Sequence, residues 1–102
     1  MKHPKQNAER WLKEAEYTLR LAERIADQGA YSFACFLAEQ TAQKALKAML
    51  YFDGARLVTI HSVAELIKEI SKKRSDFMKL RDQGAKLDQY YLSTRYPDAV
   101  AE

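Results

Sequence analysis

Apolar residues recur along the first part of the chain at three- and four-residue steps, with Trp11, Ala15, Leu19, Ala22 and Ala26 on one face. That spacing predicts an amphipathic helix, capped by Asn7, running to about Gln28 and stopped by Gly29. A second helix is predicted from Tyr31 to Asp53. Its apolar arc is wider, gathering Ala34, Leu37, Ala38, Thr41, Ala42, Ala45, Ala48, Met49 and Phe52 around one direction, which marks it as the central helix. The opposite stripe holds Gln40, Gln43, Lys44 and Lys47, and Phe33, Phe36 and Tyr51 project into it. Aromatics on a wet face have two readings: they form an interface, or a neighbouring helix or tail covers them.

Asp53 and Gly54 end that helix, and an irregular segment leads to His61. Ser62 followed by Glu65 is a capping box, which predicts a short third helix buried through Val63, Leu66, Ile67 and Ile70. Lys72, Lys73 and Arg74 close it with positive charge that suits a helix C-terminus. A fourth helix is predicted from Ser75 to Tyr91, with Phe77, Leu80, Gly84, Leu87 and Tyr91 on one face and Gly84 permitting close approach. Pro97 excludes a helical Tyr96, so a tail is expected to leave the bundle there. Helices joined by short turns predict an all-α fold, an antiparallel up-and-down four-helix bundle formed by a single domain over residues 1–102.

Composition narrows the class. At 102 residues, with 47% apolar and 30% charged residues, the chain has the make-up of one folded domain. Its net charge of +3 suits an anionic ligand without forming the dense basic stripe of a duplex binder. The single cysteine, Cys35, lies in an apolar run and reads as a buried structural thiol, with no disulfide framework or metal-ligand spacing around it. No metal or other cofactor is expected. No apolar run is long enough to cross a membrane, and MKHPKQNAERW lacks the apolar segment of a leader, so a cytoplasmic protein with no membrane partner is expected.

WLKEAEYTLRLAERI in the first helix, YSFACFLAEQTAQKALKAMLY in the second, the TIHSVAELI turn and DQYYLSTRYPDAV at the end together resemble the HEPN domain family, a family of small helical domains. The resemblance spans roughly residues 8 to 100. It implies a helical bundle that commonly pairs as a homodimer and is often encoded beside a minimal nucleotidyltransferase. Some members are metal-independent ribonucleases acting as toxins, and nucleotide binding has been proposed for others. The ribonuclease members carry an arginine, four to six residues, then a histidine; Arg56 and His61 fit with four between. Where those members often have a polar residue after the arginine this chain has Leu57, and where silenced toxins have a tyrosine two residues after the histidine it has Val63.

Cleaving RNA without a metal takes a base for the 2′-hydroxyl, an acid for the leaving oxygen and a cation for the phosphorane. His61 is the one histidine placed in an ordered turn, so a single copy is short of a proton-transfer group. A two-fold dimer bringing two copies of His61 and Arg56 around one cleft would complete the set. Alternatively His61, Arg56 and Ser62 bind a nucleotide or RNA phosphate at the amide groups of the third helix without cleaving it, or they serve only the turn. The resemblance also implies that Arg95 and Tyr96 pack back on the bundle with Asp98, as the tail does in the family, with a share in the anion cleft as the alternative. A further reading is a non-catalytic module that docks a nucleotidyltransferase through Phe33, Phe36 and Tyr51.

Overall fold

The structure, a computed structural model, describes residues 3–95, with side chains as far as Tyr90. Every regular element among these residues is helical: α1 (Pro4–Asp27), α2 (Tyr31–Phe52), α3 (Val63–Ser71), a 3-10 helix (Ser75–Leu80) and α4 (Arg81–Arg95). The four α-helices pack together as the expected all-α bundle, and α2 is its centre, in contact with α1, α3 and α4. Among the described helices α1 approaches α2 alone, whereas α3 and α4 lie against each other and the 3-10 helix as well as α2.

Local rules account for the helix ends. Gly29 follows α1 at φ 86° and Gly54 follows α2 at φ 103°, the left-handed conformation that glycine adopts without steric cost. In both turns the amides fold back on the last carbonyls, Gly29 to Ala26 and Ala30 to Ile25, then Gly54 to Tyr51 and Ala55 to Leu50. This doubled pattern is the Schellman motif, which satisfies carbonyls a helix end would leave bare. The start of α1 differs from expectation. It begins at Pro4, one turn before the predicted cap at Asn7, because proline has no amide to lose and its φ is already helical. The predicted fourth helix divides into the 3-10 turn and α4, and α4 carries on past Tyr91 to Arg95.

α1 turns a narrow stripe of small residues, Ala8, Ala15, Thr18 and Ala22, onto α2. Leu19, placed in the core by periodicity, lies outside that stripe and is 48% exposed. α3 supplies the tightest packing: Val63, Leu66, Ile67 and Ile70 are all buried. Gly84 of α4 lies against this cluster so closely that a Cβ there would stand 2.7 Å from Ile67 Cδ1 and 3.2 Å from Val63 Cγ1. The close approach expected of Gly84 is therefore real.

α2 follows the expected pattern only in part: Ala34, Leu37 and Ala48 of the predicted core arc are buried, but so are polar residues. Its buried residues are Ala34, Leu37, Glu39, Gln43, Lys47, Ala48 and Tyr51, so much of the predicted wet stripe faces inward. Polar groups can stay inside only when they satisfy one another. Glu39 does so, accepting from Gln40 Nε2 at 2.7 Å and from Gln43 Nε2 at 2.7 Å. Phe52, assigned to the core face, is 55% exposed, and Cys35, read as buried, is half-buried.

Candidate functional site

The loop between α2 and α3 carries Arg56 and His61, and three contacts hold it. Arg74 grips Asp53 at the loop's start, with Nη2 2.9 Å from Oδ1 and Nε 3.4 Å from Oδ2. The Val58 amide donates to the Tyr51 hydroxyl at 3.1 Å in the middle. At its far end the Asp88 carboxylate of α4 accepts from Ser62 Oγ at 2.8 Å, from the Val63 amide at 2.7 Å and from the Ala64 amide at 3.0 Å.

These last bonds occupy the start of α3, where a phosphate was expected. The Glu65 amide donates to Ser62 Oγ at 3.2 Å, which bears out the predicted serine cap, and the Leu66 amide donates to the Ser62 carbonyl. Together with the two amides that Asp88 takes, the helix start is already bonded, and a carboxylate from the chain itself stands where an anion was expected. Ser62, predicted to bind a ligand, is engaged in capping.

Tyr51, predicted at an interface with Phe33 and Phe36, is 5% exposed and belongs to the core. Its ring stacks on Trp11 of α1 with centroids 5.8 Å apart, because α1 covers the side of α2 from which Tyr51 projects. Phe33 and Phe36 do form a pair, with centroids at 6.1 Å, and Phe33 is 51% exposed. Arg95 and Tyr96 lie outside the residues whose side chains are described.

Arg56 is brought to a different set of neighbours from those expected. An open cleft of about 520 Å³ runs between α1 and α2, lined by Asn7, Arg10, Trp11, Glu14, Lys44, Tyr51, Arg56 and Leu57. Three of these side chains are cations, one is an acid, and two are aromatic. Lys44 Nζ is braced by Thr18 Oγ1 at 2.9 Å, and that hydroxyl in turn donates to the Glu14 carbonyl at 2.8 Å. Behind the wall, Lys47 Nζ stands 5.3 Å from the centre of the Trp11 ring. Burial pushes the Lys47 ammonium below its ordinary pKa, and the Glu39 charge partly offsets this. His61 is exposed and does not line the cleft, so Arg56 and His61 share a loop without sharing this site.

Arg10, Trp11 and Lys44 as site residues were not apparent from periodicity, which assigned Trp11 to the core and Lys44 to open solvent. A signal was present: Asn7, Trp11 and Glu14 form one i, i+4, i+7 row down a flank of α1, with Arg10 beside it. Chemically, the cleft offers guanidinium and ammonium donors beside a flat apolar wall. None of its lining side chains is a histidine or cysteine, and among the described residues no group of histidine, cysteine, aspartate and glutamate could hold a metal ion. No helix among these residues is long and apolar enough to cross a membrane.

The family model of the HEPN domain matches residues 8–102. Among curated proteins and among solved structures, nothing matches the chain.

Proposed function

The chain belongs to the HEPN domain family, and from that premise we propose that it binds a phosphate-bearing ligand, a nucleotide or an RNA phosphate, in the cleft between α1 and α2. One observation carries the reading: Arg10, Lys44 and Arg56 converge on a cleft walled by Trp11 and Tyr51. Arginine forks match phosphate oxygens two at a time, and an aromatic wall accepts a base or ribose without discriminating among bases. Binding without cleavage is the fitting outcome in a single copy. The lining offers Glu14 as its one carboxylate and no imidazole, so the pair of proton-transfer groups that phosphodiester cleavage requires is not assembled there.

The test uses the chain's one tryptophan, Trp11, as the reporter. Titration with pyrophosphate, ATP and a short RNA should change its fluorescence, and added salt should weaken binding. Arg10→Ala and Arg56→Ala are each expected to weaken affinity about tenfold, with His61→Ala unchanged. Affinity insensitive to both arginine changes would sink the reading. Labelled RNA incubated with EDTA checks the enzymatic alternative: cleavage lost in His61→Ala and in Arg56→Ala would restore a metal-independent ribonuclease of toxin type.

A further inference from the structure

Three cations suit a phosphate, but a carboxylate among them repels it. Glu14 nevertheless lines the same cleft as Arg10, Lys44 and Arg56. Its role is not that of an ion-pair partner. Arg10 stands one turn before it on α1, yet among the described residues the ion pairs are Lys72–Glu69 and Arg74–Asp53. What Glu14 gives to Thr18 is its backbone carbonyl, and its side chain is exposed in the cleft.

The register of α1 on α2 orders the cleft from end to end. Lys5 Nζ stands 6.0 Å from the centre of the Phe52 ring, Trp11 stacks on Tyr51, and Thr18 meets Lys44, so the two helices run antiparallel. Arg56, in the loop after α2, therefore belongs to the Asn7 end. Lys44 belongs to the Glu14 end, its Nζ bonded to the hydroxyl that donates to the Glu14 carbonyl. Glu14 is seven residues beyond Asn7, about 10 Å along the helix, with Trp11 between them. A nucleotide laid over Trp11 with its phosphate at Arg10 and Arg56 turns its base edge towards Lys44 and Glu14. We propose that this end of the cleft reads guanine. The guanine edge presents the O6 acceptor and then two donors in line, N1–H and N2–H. An ammonium donates to O6, and a carboxylate accepts from the two donors, one on each oxygen. Adenine, cytosine and uracil present a single nitrogen donor on that edge, which leaves one carboxylate oxygen unfilled. The inference rests on the cleft reading and names the base that the cleft prefers.

Calorimetric titration with GMP, AMP, CMP, UMP and IMP tests it, in the wild type and in Glu14→Gln, a change at an exposed position that folding tolerates. GMP should bind about tenfold more tightly than AMP, CMP or UMP. IMP keeps O6 and N1–H but lacks the second donor, and should fall between. Glu14→Gln should reduce the guanine preference to about threefold or less. The same variant should bind pyrophosphate more tightly, because a repelling charge is gone. Equal affinity for the five nucleotides overturns the guanine assignment, as does a preference that survives Glu14→Gln; both leave the phosphate cleft standing. A wild type that binds neither pyrophosphate nor any nucleotide removes the cleft reading and this inference with it.

Discussion

The carboxylate of Asp88 does at the start of α3 what an incoming phosphate would otherwise do. It accepts from two backbone amides and the Ser62 hydroxyl, tying α4 to the loop that carries Arg56 and His61. Removing it leaves amides unmet at a partly buried helix end. Asp88→Ala is accordingly expected to cost about 2–4 kcal/mol, read as a lowered midpoint in urea unfolding. Asp88→Asn should recover part of this, since one amide oxygen remains to accept. At this scale the sequence was partly legible. The Ser62 cap is a contact within one turn and shows in the residue pattern; its partner Asp88 is 26 positions away, and no local rule connects them.

At the scale of one helix, α2 runs a polar line through its own interior. Glu39 is 1% exposed, and burial pushes its carboxyl above the ordinary carboxylate pKa, assisted by the Asp88 charge and opposed by the Gln43 and Gln40 hydrogen bonds. A carboxyl with a raised folded pKa binds its proton more readily in the folded state than in the unfolded one. Its contribution is therefore present below the ordinary pKa of the unfolded carboxyl and is lost as pH rises through the folded pKa. Stability measured from acid towards neutral pH should carry this downward component, and Glu39→Gln should remove it; an unchanged pH profile in that variant would refute the assignment. The same helix shows why patterning misjudged its faces. Periodicity sorts residues by polarity, but Glu39 and Gln43 stay inside because Gln43 and the half-buried Gln40 donate to the Glu39 carboxylate, while Met49 and Phe52 remain partly open. Helix stops were read correctly because Gly29 and Gly54 act within a few residues. Burial of a polar row depends on what packs across from it.

Across the molecule, the all-α bundle and its element order were legible from spacing and glycine punctuation. Where the arginine of the loop would point was not, since that depends on how α1 lies over α2. The single seam that joins α1 to the rest has a kinetic consequence. Among the described helices α1 meets α2 alone, through Ala8, Ala15, Thr18 and Ala22, the Trp11–Tyr51 stack and the Lys44–Thr18 hydrogen bond, so it can open while α2, α3 and α4 stay assembled. Amide hydrogen exchange should then reveal two populations, with α1 opening at lower free energy than Leu66, Ile67 and Ile70.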